Sequence, residues 1–151
     1  MNKNILFPTD FSTASDAALI HAESFAKQSS AKLIILHVEE PPLAYGGGEL
    51  YYGIPEPSSE RILEMLQDVC PHDPDIFYEH RLVMGDPASE SVRVAQEERP
   101  ELVVLGTHGR TGLSRILMGS DAEAVVRHAP CPVLIYRLNT CLLYTSPSPR
   151  D

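Results

Sequence analysis

Short apolar runs alternate along this chain with segments in which apolar residues recur every three or four positions. Four of the runs are NILFP, KLIILHV, ELVVLG and PVLIY, at residues 4–8, 32–38, 101–106 and 132–136. Their content of Leu, Ile and Val without strict alternation is typical of strands buried on both faces of a parallel sheet. A fifth run, IFYEHRLV at residues 76–83, alternates more and predicts a strand nearer the sheet edge.

Helical patterns fill the intervals, at residues 12–30, 58–70, 86–98 and 120–128. Ser12 is a candidate N-cap of the first helix, and Ser58 or Ser59 of the second. Asp86 followed by Pro87 opens the third helix. The first helix is predicted to bury a stripe of Ala14, Ala17, Ala18, His21, Ala22, Phe25 and Ala26.

This order of strands and helices predicts an open α/β sheet with right-handed crossovers. Such sheets bind ligands beyond the carboxyl ends of their strands, where the strand order reverses. Two segments therefore matter most, residues 8–10 after the first strand and the stretch that follows the fourth. Residues 41–57, rich in Gly, Pro and Tyr, are either a lid or an irregular connection, and we favour the connection.

Composition excludes several classes of function. At 151 residues the chain has the size of one domain, and its formal net charge of −9 argues against binding to nucleic acid or an anionic membrane. The N-terminal segment MNKNILFPTDFS has too short an apolar run for a secretory signal, so we expect a cytoplasmic protein. Cys70 and Cys131 lie in no metal-ligand spacing, and Cys131 is expected to be buried.

The C-terminal residues 141–151, CLLYTSPSPRD, differ from the rest of the chain. They crowd Ser and Pro together without periodicity and resemble the in-frame translation of a sequencing adapter. A genuine disordered tail is the alternative. We predict a folded domain over residues 1–137 and a disordered, largely non-native tail over residues 138–151.

The stretch after the fourth strand, GTHGRTGLSRILMGS at residues 106–120, carries unevenly spaced glycines. It matches neither the Walker A loop nor the GxGxxG fingerprint. Gly106 would let a ligand approach the strand end, and Gly119-Ser120 would offer helix amides to an anion. Glycines that only form turns are the alternative, but the position after the fourth strand favours a phosphate-binding loop.

The segments ILFPTDFS, LHV, Gly106-x2-Gly109-x9-Gly119-Ser120 and VVRHAPCPVLIYR together resemble the ATP-binding branch of the universal stress protein family. The resemblance implies a Rossmann-like fold, similar to that of the adenine nucleotide α-hydrolases. Its open, five-stranded parallel sheet would have the order 3-2-1-4-5, with helices on both faces. It also implies a homodimer formed through the last strand.

The resemblance further implies a binding site at the strand ends and at the start of the last helix. Its residues would be Pro8, Thr9, Asp10, Val38, Gly106, Gly109, Arg110, Gly119, Ser120 and Asp121. Asp10 would bind ribose or a purine edge, and the backbone of Val38 would meet adenine. Gly119 and Ser120 would hold phosphate.

Asp121 departs from the family pattern, which usually has an apolar residue there. Its carboxylate suits the first turn of a helix, but beside a triphosphate it would repel unless it faces solvent or assists a metal ion. We therefore expect Asp121→Val to raise the affinity for ATP.

Two functions follow from these observations. The first is a stress-response dimer that binds ATP, with Mg²⁺ or Mn²⁺, and acts as a switch or adaptor with at most slow hydrolysis. The second is a dimer that binds no nucleotide and acts through protein contacts. Enzyme motifs such as GxSxG, HExxH and SGGxDS do not occur.

Overall fold

The computed structural model describes residues 3–41, 58–107, 120–137 and 140–144. Their elements, in chain order, are β1 (Asn4–Pro8), α1 (Thr13–Ser29), β2 (Lys32–Glu39), α2 (Ser59–Gln67), β3 (Tyr78–Met84), α3 (Pro87–Glu98), β4 (Leu102–Thr107), α4 (Ser120–His128), β5 (Val133–Arg137) and β6 (Thr140–Tyr144). The first nine were predicted, with ends that differ by a few residues at most. Most of the connection at residues 41–57 lies outside the described residues.

The strands form one sheet in the order β3-β2-β1-β4-β5-β6. Strands β1 to β5 are parallel, which confirms the predicted order 3-2-1-4-5 and places β3 at one edge. The strand order reverses between β1 and β4, which pair through Ile5↔Leu102 and Leu6↔Val103. The carboxyl ends of β1, β2 and β4 therefore surround the reversal point.

Apolar side chains cover both faces of the sheet, which explains the lack of alternation in its strands. On β1, Leu6 packs with residues of α3 and α4, whereas Ile5 and Phe7 pack with residues of α1 and α2. Neighbouring strands divide in the same way, so helices cover both faces of the sheet, as predicted. Full burial of each such side chain contributes about 1.5–3 kcal/mol to stability.

Local capping interactions fix where the first three helices begin. Ser12 accepts a hydrogen bond from the Ser15 amide, and Ser58 accepts one from the Arg61 amide. Asp86 caps α3 through the amide of Ser89 at 2.9 Å. Because side-chain caps act within three residues, the sequence alone could indicate these starts.

The buried stripe of α1 differs from the predicted one. Leu19 and Glu23 are buried, whereas Phe25 is 39% exposed and His21 is half-buried. The helix is thus rotated relative to the predicted stripe, although Ala14, Ala18, Ala22 and Ala26 are buried as expected. Burial of Glu23 is tolerated because its carboxylate lies 2.8 Å from Nδ1 of His72.

The environment of Cys131 agrees with the prediction. Its side chain is buried in the core on the α3–α4 face of the sheet, and burial raises the pKa of the thiol to about 11. A thiol of this kind stays protonated near neutral pH and is a packing residue rather than a nucleophile.

Residues Thr140–Tyr144, which were predicted to be disordered, form a strand that extends the five-stranded parallel sheet to six strands. These residues form β6, which pairs antiparallel with β5 in a register from Arg137↔Thr140 to Val133↔Tyr144. An edge strand offers a row of unpaired backbone groups, and a following apolar segment can satisfy them by folding back. Residues 145–151 lie outside the described residues, and the adapter origin of residues 141–151 stays a prediction.

Candidate functional site at the strand reversal

A cavity of about 740 Å³ lies at the carboxyl ends of β1, β2 and β4. Of the predicted site residues, the cavity is lined by Pro8, Thr9, Asp10, Val38, Gly106 and Asp121. Ser120 is exposed as the first residue of α4 and is not among the residues that line the cavity. Gly109, Arg110 and Gly119 lie outside the described residues.

The turn after β1 holds the carboxylate of Asp10 in one orientation. Its Oδ1 accepts hydrogen bonds from the amide of Ser12 at 2.9 Å and from the hydroxyl of Ser15 at 2.8 Å. The Asp10 amide donates back to the Ser15 hydroxyl at 3.3 Å. Because Ser15 is only 2% exposed, this arrangement anchors an exposed carboxylate to a buried group.

The next residue, Phe11, adopts a left-handed backbone conformation with φ of 65°. A bulky residue in this region costs on the order of 1–3 kcal/mol and persists only where its surroundings enforce it. Here the Phe11 amide donates to the Thr9 hydroxyl at 3.0 Å, and its ring lies 4.3 Å from the imidazole of His37. The turn that carries Asp10 is therefore shaped by contacts with β2.

His37 is a cavity residue for which the sequence analysis assigned no binding role. Its Nδ1 lies 2.7 Å from the carbonyl oxygen of Thr9. Because a carbonyl only accepts, Nδ1 carries the proton, and Nε2 of the neutral ring is an acceptor. In the parallel sheet Pro8 pairs with Leu36, so the next residue, His37, approaches the end of β1. Assuming this register at the outset would have indicated the position of His37.

Gly106 lines the cavity, but the structure gives a different reason for a glycine there than ligand approach. A Cβ at this position would lie 2.3 Å from the carbonyl oxygen of Ala14 and 2.7 Å from the amide nitrogen of Ser15. Both atoms belong to the backbone of α1, which cannot give way as a flexible side chain can. Gly106 therefore sets the close approach of α1 to the end of β4.

The side of the cavity near α3 and α4 is acidic. Asp121 lies at the second position of α4 and is exposed, yet partial burial raises the pKa of its carboxyl. The carboxylates of Asp86 and Asp10 raise the pKa of Asp121 further. The hydrogen bond from the Ser89 amide lowers the pKa of Asp86, so Asp86 stays anionic.

The remaining walls combine apolar surface with further acid groups. The apolar lining residues include Leu36, Val38, Ile62, Leu105, Ala122 and Val125. Glu39 and Glu40, which end or follow β2, add two carboxylates, and Glu39 accepts a hydrogen bond from the Ser59 hydroxyl at 2.8 Å. The sequence analysis predicted Val38 of β2 but missed Glu39, Glu40 and the residues of α2. Helix α2 follows a long connection in the sequence, so its place at the cavity was not indicated.

Within the described ranges, no group of three or more His, Cys, Asp and Glu side chains is arranged to hold a metal ion. The acidic residues at the cavity thus do not form a dedicated cation site in this part of the chain. None of the helices that the structure describes has the length and apolar content of a membrane span.

Comparison with known proteins defines the class to which this α/β fold and its strand-end cavity belong. The sequence model of the universal stress protein family matches residues 1–137. The chain therefore belongs to the universal stress protein family.

Individual relatives agree with this assignment. Universal stress protein MJ0531 of Methanocaldococcus jannaschii is 34% identical over 89% of this chain and 82% of its own length. The solved structure of MJ0577 superimposes with a TM-score of 0.66 at 30% identity, over 91% of this chain and 96% of its own. A universal stress protein in complex with cAMP superimposes with a TM-score of 0.62 at 27% identity, over 90% and 97%.

Proposed function

We propose that this chain binds an adenine nucleotide, ATP in particular, in the cavity at the strand reversal and acts as a nucleotide-dependent switch or adaptor in a cytoplasmic stress response. The observation that carries the proposal is the cavity itself, which joins an apolar region to an anchored carboxylate, that of Asp10. Solved relatives support it, since one of them holds cAMP.

The cavity offers matching surfaces for the parts of such a ligand. The apolar side chains beside Val38 suit a purine, and the neighbouring backbone suits its polar edge. Asp10, which Ser12 and Ser15 hold in place, would accept hydrogen bonds from ribose hydroxyls. Phosphates would then extend toward Gly109, Arg110, Gly119 and Ser120. A Mg²⁺ or Mn²⁺ ion would accompany those phosphates.

Isothermal titration calorimetry with ATP, AMP and cAMP tests the proposal, with GTP as a base control. We expect Asp10→Asn to weaken adenine-nucleotide binding about tenfold or more, since a charged hydrogen-bond acceptor is lost. The amide oxygen can still accept from Ser12, so the turn should survive. Asp16→Asn, an exposed change in the first turn of α1, is the matched control and should bind as the parent does. No binding of any adenine nucleotide at millimolar concentration would contradict the proposal.

The proposed homodimer needs a revised interface. The outer edge of β5 is paired with β6, so β5 cannot pair with a second copy while β6 is in place. A dimer through the last strand would therefore use β6, or would form after β6 has left. Light scattering of the whole chain, compared with a chain that ends at Arg137, separates these two arrangements.

A further inference from the structure

We propose that His37 is a positioning residue for nucleotide binding, because its hydrogen bond to Thr9 fixes the turn that presents the carboxylate of Asp10. This inference rests on the proposed nucleotide site. It assigns to His37 a role in the preference for a ribose that carries its hydroxyls. That role is exerted through Asp10 rather than by contact with the ligand.

The end of β2 holds Thr9 by both polar groups of its backbone. Strands β1 and β2 pair as far as Pro8↔Leu36. One residue further on, the Thr9 amide donates to the carbonyl oxygen of Leu36 at 2.8 Å, and Nδ1 of His37 donates to the Thr9 carbonyl oxygen at 2.7 Å. Because Thr9 is buried, removing the imidazole would take a hydrogen-bond partner from a buried backbone carbonyl.

The peptide group that joins Thr9 to Asp10 is therefore held at both of its ends. Its carbonyl accepts from His37 of β2, and its N–H, the amide of Asp10, donates to the Ser15 hydroxyl of α1 at 3.3 Å. Since a peptide group is planar, holding both ends restricts the backbone angles on either side of it. The direction in which the Asp10 side chain leaves the backbone thus depends on His37.

The residue that follows Asp10 also contacts this histidine. The ring of Phe11 lies 4.3 Å from the imidazole, and the Phe11 amide donates to the Thr9 hydroxyl at 3.0 Å. These contacts oppose the strain of the left-handed backbone at Phe11. Both neighbours of Asp10 in the chain are thus in contact with His37.

His37 also connects the two parts of the proposed site. Val38, whose surroundings suit a purine, follows it directly on β2, and Asp10 follows the residue whose carbonyl it holds. Ser12 and Ser15 orient the Asp10 carboxylate relative to α1. The bond from His37 instead sets where the turn lies relative to the sheet, and so the separation between the base region and the carboxylate.

The test is calorimetric titration of ATP and of 2′,3′-dideoxy-ATP, which lacks both ribose hydroxyls. For the parent protein we expect tighter binding of ATP, because Asp10 would accept hydrogen bonds from those hydroxyls. His37→Phe keeps a ring beside Phe11 but loses the donor to Thr9. It should weaken ATP binding about fivefold and leave the binding of 2′,3′-dideoxy-ATP at the parental value. His37→Asn keeps an N–H on the atom after Cγ and should retain most of the preference for ATP.

A double substitution shows whether His37 acts through the carboxylate. In the Asp10→Asn protein, His37→Phe should change the ratio of the two affinities no further. His80→Leu is the matched control, since Nε2 of His80 lies 2.7 Å from the carbonyl oxygen of Val69, and neither residue lines the cavity. The same kind of bond is lost there, and the ratio should stay at the parental value.

The inference is overturned if the parent does not prefer ATP, or if His37→Phe weakens both nucleotides alike or neither of them. It is also overturned if the effect of His37→Phe persists in Asp10→Asn. Circular dichroism checks that each variant is folded, and the smaller His37→Leu replaces His37→Phe should that variant not fold. If the parent binds neither nucleotide, the nucleotide site itself is wrong and the inference fails with it.

Discussion

The carboxylates on the two sides of the cavity have different surroundings. On the β1 side, Asp10 receives hydrogen bonds from Ser12 and Ser15, and the strained conformation of Phe11 fixes the turn. On the α4 side, the described surroundings of Asp121 include two further carboxylates, and its pKa is raised. The difference suggests that the β1 side is organised in advance to hold a neutral polar group such as a ribose hydroxyl. On the α4 side, burial and the neighbouring carboxylates instead disfavour the ionised form of Asp121.

We expect the largest loss of stability from a substitution at the end of β4, where it borders the β1 side of the cavity. Gly106→Val should destabilise the fold by about 3 kcal/mol or more, since its Cβ would overlap the backbone of α1 at Ala14. Urea unfolding measures this as a change in the free energy of unfolding.

Gly85→Ala is the control for that substitution. Its backbone has φ of 149°, but its Cβ would meet only the flexible side chain of Glu90, at 2.8 Å. We expect a smaller loss than for Gly106→Val, of about 1–3 kcal/mol from the backbone conformation. Equal losses at the two positions would contradict the account of Gly106.

A smaller effect is expected from removing the anchor of Asp10. Ser15→Ala should cost about 1–2 kcal/mol, because a buried hydroxyl that bonds to a carboxylate is lost. It should also weaken nucleotide binding, since Asp10 is then no longer fixed. Ser29→Ala removes a hydroxyl that bonds only within its own helix and should change stability little. If binding is unaffected by Ser15→Ala, the β1 side is not organised in the way described.

The smallest effect that we expect is on the pH dependence of stability, which should differ in sign between two neighbouring aspartates. The raised pKa of Asp121 means that its charge disfavours folding, so Asp121→Asn should be slightly more stable than the parent at neutral pH. The lowered pKa of Asp86 means the reverse, so Asp86→Asn should be slightly less stable there.

Both differences should vanish with acidification, but over different ranges. That of Asp121 should disappear between its raised pKa and the ordinary value for an aspartate. That of Asp86 should persist below the ordinary value, until its lowered pKa is passed. The ordinary pKa of an aspartate is about 3.9. Thermal melts of the parent and the two variants between pH 3 and pH 7 measure both stability differences. Differences of the same sign for the two variants would contradict the contrast.

Features with a local cause were predictable from the sequence. The caps at Ser12, Ser58 and Asp86 act within three residues, and the buried strands differ from the helices in their periodicity. The order of the strands followed from the family resemblance rather than from any pattern. Six of the residues that the family resemblance implied for the site line the cavity. Four of them, Pro8, Thr9, Asp10 and Gly106, were also indicated by the ends of the first and fourth apolar runs.

Features that depend on distant partners were not predictable. The burial of Glu23 relies on His72, and the left-handed Phe11 relies on contacts with Thr9 and His37. Gly106 was predicted to let a ligand approach, whereas the structure requires a glycine there because a Cβ would overlap the backbone of Ala14. The strand β6 was missed because its composition suggested disorder, while the unpaired edge of β5 gave it a partner.

The pairing of β6 with β5 also determines how self-association would proceed in time. A dimer that pairs through the edge of β5 can form only after β6 has detached, and this detachment takes place within a single molecule. At high protein concentration the observed association rate would then level off at the rate of that detachment, instead of rising in proportion to concentration. A plateau of this kind would mark β6 as an occupant of the edge that a second molecule has to replace.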